Sequence, residues 1–242
     1  MQTAGNLALV ALLTPVGPCV SAARRIGEER IVAASFEDGT ARAALAGNRG
    51  AGFPALAFRE FFRNPLAVGS AFPASHYLVD AMLDPVDWSR MERVIEYGPG
   101  TGIFTRALLD RLPGHARLLA IDTSPAFIGH LRGEVRDRRL TAVTGSADAV
   151  LDIMAAQGWD RADGILSGLP FSTLAPERAE RLMQASARAL RPDGRFLAYQ
   201  MRRAVKPLLE RRFARVEAGF EWRNVPPCHL YWASGPVQLS SC

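Results

Sequence analysis

From residue 94 onward, short apolar runs alternate with amphipathic ones, and this alternation is the feature that most restricts the fold. Runs of strand character are Val94-Ile95-Glu96, Leu118-Leu119-Ala120-Ile121, Leu140-Thr141-Ala142-Val143, Gly164-Ile165-Leu166 and Arg195-Phe196-Leu197-Ala198-Tyr199. Helical runs at 101–112, 125–135, 147–157 and 176–190 separate them. Strand-helix alternation specifies a parallel sheet with helices on both faces, because each return to the same sheet edge needs a crossover. Two further strand-like runs, Arg215-Val216-Glu217 and Leu230-Tyr231-Trp232, flank Asn224-Val225-Pro226-Pro227 and read as a closing hairpin. The expectation is an α/β, Rossmann-like sheet of seven mostly parallel strands, the last antiparallel. The helix at 176–190 is expected to stop in a turn, Arg191-Pro192-Asp193-Gly194, whose glycine supplies a positive φ.

At 242 residues and 48% hydrophobic content, the chain suits one α/β domain with a tail rather than two domains. Residues 1–52 show no sustained period, collect small residues and read as a poorly ordered extension. Residues 53–90 read as N-terminal helices. In the first, at 53–63, Phe58, Phe61 and Phe62 share one face while Arg59, Glu60 and Arg63 share the other, the pattern of a helix lying in a bilayer interface. A second helix is expected at 75–83, and the catalytic domain at 91–242.

The charge balance, 29 basic against 24 acidic residues with a pI near 9.6, favours anionic partners such as nucleic acid or an anionic membrane. With Lys206 the only lysine, arginine-rich usage explains the same balance without function. Cys19, Cys228 and Cys242 lack ligand or framework spacing, which argues against a disulfide scaffold or a metal site. Residues 7–23 are the most apolar stretch, but Pro15 and Pro18 break it and no basic residue precedes it. A cytoplasmic protein, peripheral at the inner face of the membrane, is the expectation.

The chemistry concentrates at the ends of the strands. Gly98, Gly100 and Gly102 follow a strand ending in Glu96-Tyr97 and precede a helix opening near Thr101. Glycines there allow a ligand to lie against bare backbone, and the helix N-terminus offers N–H groups to a carboxylate. A dinucleotide fingerprint counted from Gly98 requires glycine or alanine at 103, where Ile103 stands. Asp122 closes the second strand, about 20 residues beyond the glycines, where a carboxylate accepts both ribose hydroxyls; its competing role is a helix cap in Asp122-Thr123-Ser124-Pro125. After the third strand, Asp148 can accept from an adenine amino group while the backbone beside Ala147 meets the ring. Ser167-Gly168-Leu169-Pro170-Phe171-Ser172 after the fourth strand is placed to align an acceptor nitrogen with a methyl donor.

Together these runs resemble the bacterial phospholipid N-methyltransferases, which share their core with the rRNA adenine dimethyltransferases, both of the class I S-adenosylmethionine-dependent kind. The resemblance rests on Asn64-Pro65-Leu66 through Pro73-Ala74-Ser75, on Glu96-Tyr97-Gly98-Pro99-Gly100-Thr101-Gly102, and on Ser167-Gly168-Leu169-Pro170, within residues 56–233. It implies S-adenosyl-L-methionine as cofactor, held by Ser75, Glu96, Gly98, Gly100, Thr101, Gly102, Asp122, Ala147, Asp148 and Ser167. Glu96 would hold the methionine amino group. Ser167, Leu169, Pro170 and Phe171 would be the catalytic set, and the acceptor an amine, foremost the ethanolamine headgroup of a phospholipid. Two departures stand out: Ala74 replaces the first serine of the usual Pro-Ser-Ser, and Ser167 stands where the rRNA enzymes carry Asn or Asp. The latter, with the absence of a helical RNA-binding domain after the last strand, argues against nucleic acid. An rRNA adenine dimethyltransferase-like activity, a small-molecule methyltransferase and a non-catalytic cofactor-binding module remain the alternatives. No base for deprotonating the acceptor is evident; His76, Tyr77, Tyr199 and His229 are the side chains that could approach. The sequence does not give the oligomeric state.

Overall fold

The computed structural model describes residues 74–237, so the extension at 1–52, the helix at 53–63, the run Asn64 through Pro73, and Cys19 and Cys242 lie outside the described residues. In chain order the elements are α1 (His76–Leu83), β1 (Arg93–Tyr97), α2 (Ile103–Arg111), β2 (Arg117–Asp122), α3 (Pro125–Glu134), β3 (Leu140–Thr144), α4 (Val150–Ala156), β4 (Ala162–Ser167), α5 (Pro176–Ala189), β5 (Leu190–Gln200), α6 (Lys206–Arg212), β6 (Phe213–Glu221) and β7 (Cys228–Pro236). Single 3-10 turns precede α4, α5 and α6. The seven strands order as β3-β2-β1-β4-β5-β7-β6; the first five are parallel, and β7 runs antiparallel to both β5 and β6. This is the expected Rossmann-like sheet with its last strand reversed.

Alternate residues of the central strands feed opposite cores, as strands buried on both faces require. Ile95 and Tyr97 point toward Val150, Met154, Leu182 and Leu208 of α4, α5 and α6. Val94, Leu118 and Leu166 meet Leu78, Met82, Phe104 and Leu108 of α1 and α2. Ile128 and Leu131 of α3 pack on Ala120 and Ala142.

Helix α1 belongs to this core. Ser75 caps its start, accepting the Leu78 N–H. The carbonyls of its last turn, which a helix end leaves without internal donors, are met by two indoles: Trp232 donates to the Met82 carbonyl at 2.9 Å and Trp88 to that of Leu83 at 2.8 Å. Because Trp232 lies on β7, the same bond fastens α1 to the far part of the sheet.

One local expectation fails. Arg191-Pro192-Asp193-Gly194 is not a free turn but part of β5, where Leu190 pairs with Ala162 and the next pair is Arg195 with Gly164. The four residues bulge with only Asp163 opposite, and Arg191 bonds that carboxylate at 2.6 Å while Asp163 also accepts the Glu92 and Arg93 N–H groups. Gly194 is not among the positive-φ glycines; a Cβ there would come within 3.0 Å of the Arg191 carbonyl, so close backbone approach is its constraint. The 3-10 turn Arg203–Val205 and α6, which follow β5, have no counterpart in the sequence reading.

Candidate active site

Strand order reverses between β1 and β4, and there the connections of the two strands leave on opposite faces and open a crevice beyond their carboxyl ends. A cavity of about 170 Å³ lies in it. One wall is the turn after β1, from Gly98 to Thr101, with Ile103 and Phe104 of α2. The other is built by Gly168 and Pro170 after β4, Tyr199 to Arg202 at the end of β5, and Asn224, Pro226 and Cys228 of the β6–β7 turn.

The first wall exposes backbone. Gly98, Gly100 and Gly102 all adopt left-handed φ, at 67°, 52° and 79°. Their surroundings differ. A Cβ on Gly100 would meet nothing within 4 Å, so this residue faces open cavity, whereas one on Gly102 would strike Leu131 Cδ1 at 2.6 Å and one on Gly98 would crowd Leu169 Cδ2 at 3.3 Å. Gly102 therefore serves the packing of α2 against α3, and Gly100 keeps the cradle clear. Asp122 sits below: its carboxylate accepts the Ser124 N–H at 2.8 Å and more distantly the Gly100 N–H at 3.4 Å. The cap of α3 is Ser124, whose hydroxyl accepts the Phe127 N–H.

Glu96 is buried at the end of β1 and accepts a short hydrogen bond, 2.6 Å, from the Thr105 hydroxyl. Burial pushes its carboxyl up to about 8; the Thr105 bond opposes this and the charge of Asp122 adds to it. The residue is thus largely protonated at neutral pH, beneath a turn shaped for a ligand. Asp148 lies elsewhere in character. Arg178 of α5 bonds it from Nε at 2.8 Å, and the Ser146 hydroxyl donates to it at 2.8 Å. Partial burial would raise its pKa, but these two partners outweigh burial and hold it below the usual carboxylate range. Ala147 is buried in the core beside it.

In the loop after β4, Ser167 is fully buried and its hydroxyl accepts the Leu169 N–H at 3.4 Å. Pro170 faces the cavity, while Leu169 packs against the core and Phe171 is buried in it. What shapes this loop is a residue the sequence reading missed. The buried Gln200 amide donates to the Leu169 carbonyl at 2.7 Å and accepts the Phe171 N–H at 3.3 Å, clamping the loop on both sides of Pro170. Asn224 plays a similar part at the opposite rim: it accepts the Ser75 N–H at 2.9 Å and donates to the Pro226 carbonyl at 2.6 Å. Ser75 thereby joins the site's frame through its backbone.

Of the four side chains considered as bases, Tyr199 alone lines the cavity. Its ring stacks on Phe104 at 4.5 Å, and burial, reinforced by the nearby Glu96, pushes its phenol far above the ordinary value, so it stays protonated. His76 stacks on Tyr77, and His229 lies against Phe220. Cys228, unpaired and buried, has its thiol pushed up to about 11 by burial. Among the described residues no cluster of three or more metal-ligating side chains occurs, and no helix is long and apolar enough to cross a membrane.

Residues 94–194, which span the glycine turn, both candidate aspartates and the loop after β4, match the family model of a methyltransferase domain. The chain carries an S-adenosylmethionine-dependent methyltransferase domain. An ornithine lipid N-methyltransferase of Singulisphaera acidiphila is 29% identical to it over 178 residues, covering 73% of this chain and 93% of that protein. The ribosomal RNA small subunit methyltransferase A of Geobacter metallireducens is 29% identical over 120 residues, covering 48% of this chain and 42% of that one. Among solved structures, the N-methyltransferase NodS of Bradyrhizobium japonicum in complex with S-adenosyl-L-homocysteine superposes with a TM-score of 0.56 at 16% identity, over 75% of this chain and all of that one. A precorrin-6y C5,15-methyltransferase from Geobacter metallireducens gives 0.54 at 15% identity, over 69% and 96% of the two chains. At such identities the superpositions show the methyltransferase's fold alone.

The residues present fit the cofactor. Gly100, in left-handed backbone, keeps its part of the turn open to the cavity ahead of the α2 N-terminus, and Asp122 ends β2, so the chain offers bare backbone able to meet a carboxylate and a carboxylate able to accept ribose hydroxyls.

Proposed function

We propose that this methyltransferase methylates the amine of a lipid headgroup, with phospholipid ethanolamine as the first acceptor to test. The observation that carries the reading is one of extent: similarity to the ornithine lipid N-methyltransferase runs over 93% of that protein, whereas similarity to the rRNA enzyme spans 42% of its length. In this reading Gly98, Gly100, Thr101, Glu96 and Ser75 frame the methionine end, Gly102 and Ser167 hold the turns around it, Asp122 takes the ribose, and Ala147 and Asp148 lie toward the adenine. S-adenosylmethionine supplies an electrophilic methyl on a sulfonium.

The chain's own contribution is alignment and desolvation. Pro170, Tyr199 and Ser172 limit how an acceptor nitrogen can enter, and Gln200 fixes the loop that carries Pro170. Among the described residues, no carboxylate, lysine or histidine lines the cavity. Ala74, Leu78, Ile103, Phe104 and Phe127 make much of the wall apolar, which disfavours an ammonium over a neutral amine. The acceptor therefore sheds its proton to water on entry, without a side-chain base, and the rate rises with pH up to the pKa of the amine. The test is incubation with methyl-labelled cofactor and, separately, ethanolamine phospholipid, ornithine lipid, rRNA and a metabolite extract, with products resolved by mass. Label in a lipid fraction supports the reading. Label in rRNA or a small metabolite replaces it with that acceptor, and cofactor binding without transfer to any of them leaves a binding module.

A further inference from the structure

Six large apolar side chains are exposed among the described residues, and five of them gather at one end of the sheet. The register places Gln200, His229 and Phe220 in one row across β5, β7 and β6. Met201 comes directly after β5, Trp222 and Val225 occupy the turn after β6, and Tyr77 reaches over from α1 to lie under the Arg223 guanidinium at 4.3 Å. The exposures decide that this is not the fringe of a core: Phe220 is 55%, Val225 67% and Trp222 71% accessible. Side chains of that size, grouped and wet, mark a surface that meets something else.

Two further observations say what. Among the described residues, Arg202 and Arg203 beside this patch are exposed and have no carboxylate partner, while Glu221 is buried and taken by Arg223 through two bonds of 2.8 Å. The charge offered outward is therefore cationic. Moreover, Met201 and Arg202 belong both to the patch and to the cavity wall, and the turn carrying Trp222 and Val225 also carries the lining residues Asn224 and Pro226.

We propose that the β6–β7 turn is a membrane-docking element: Phe220, Trp222 and Val225 enter the interfacial zone of a bilayer carrying anionic lipid, and Arg202 and Arg203 meet its headgroups. An indole beside aliphatic side chains, flanked by arginines, is the composition that suits this zone, with apolar bodies in the acyl boundary and charges in water. The cavity then opens toward the surface from which a headgroup would enter. This deepens the lipid reading and rests on it for its purpose, but the two fail separately.

The experiment uses the full chain and vesicles of phosphatidylcholine with and without phosphatidylglycerol. Sedimentation is expected to show binding that strengthens with phosphatidylglycerol and weakens with salt. Brominated acyl chains should quench Trp222, and Trp222→Phe should abolish that quenching while vesicle binding persists. Trp222→Ser/Val225→Ser should lower partitioning on the order of tenfold or more, with cofactor affinity equal to wild type as proof of folding. Arg203→Ala should remove part of the dependence on phosphatidylglycerol.

Wild-type binding without quenching of Trp222, or equal binding by the double variant, overturns the proposal. So does a Trp222-dependent RNA shift or dimer formation in a chain that ignores vesicles, each naming a different occupant. Methyl transfer to detergent-dispersed lipid reads the acceptor independently: transfer there without vesicle docking leaves the lipid reading and removes this surface, and docking without transfer does the reverse.

Discussion

The two walls of the cavity are made differently. The first is a run of four consecutive residues, Gly98 to Thr101, in which Gly98 and Gly100 leave the backbone bare, with Ile103 and Phe104 beside it; the second brings together the ends of β4 and β5 and the β6–β7 turn, and its contribution is side chains. The first is rigid because its backbone is fixed by the strand before and the helix after it. The second is rigid because Gln200 and Asn224 add bonds that tie its loops to distant parts of the chain. A cofactor shared by a whole class of enzymes suits the first kind of surface, and an acceptor that varies between enzymes suits the second.

If the walls are separate devices, changes in one should leave the other's ligand alone. The largest effect is expected under the first wall. Since the folded Glu96 carboxyl titrates near 8 against an ordinary 4.5, the unfolded chain releases this proton at lower pH than the folded one. The resulting stability is complete below pH 4.5 and is lost as pH rises through about 8, on the order of 5 kcal/mol in all. Denaturant melts across that window should show Glu96→Gln lacking this slope, and an equal slope in the variant assigns the pH dependence elsewhere.

Next comes the second wall. Gln200→Leu removes both bonds from the amide and leaves the Leu169 carbonyl and the Phe171 N–H only their 3.0 Å bond to each other, a loss of about 0.5–1.5 kcal/mol per bond. The variant should melt earlier and turn over slowly, with cofactor affinity close to wild type; a matched loss of cofactor affinity would mean the walls are coupled. Asp122→Ala should cost about 1–3 kcal/mol of cofactor binding and Asp122→Asn less, with the acceptor KM unchanged at saturating cofactor. Wild-type affinity in both variants would leave Asp122 as a turn former only. The smallest effect belongs to Asn224→Ala, about 1 kcal/mol of stability, since water reaches the half-buried Ser75 N–H; steady-state kinetics should show a raised acceptor KM and unaltered cofactor affinity.

The same contrast explains what the sequence disclosed. Gly98, Gly100 and Gly102 were legible because a strand-to-helix turn is a local object whose demands fall on adjacent residues. The place of Asp122 at the end of β2 was legible because the mononucleotide unit sets its distance along the chain. Gln200 and Arg202 were not: nothing in their neighbourhood says that the end of β5 faces the turn of β1, which the strand order alone decides. Arg191 to Gly194 misled because Pro-Asp-Gly carries a turn preference that pairing with β4 and the Asp163 ion pair overrides. Helix α6 had a signal, Pro207 at its first turn before Leu208 and Leu209, too short to register as a period.

The most direct test of the bare-backbone wall compares two glycines in the same backbone state. Gly100 and Gly158 have φ of 52° and 70°, and a Cβ on either would meet nothing within 4 Å, but only Gly100 faces the cavity. Valine at either position pays at least about 1–2 kcal/mol of left-handed strain, so Gly100→Val and Gly158→Val should melt earlier by similar amounts; the alanine pair serves if valine prevents folding. Calorimetric titration with S-adenosylmethionine is expected to show binding abolished in Gly100→Val and unchanged in Gly158→Val. A folded Gly100→Val protein that binds the cofactor as wild type does would contradict the account.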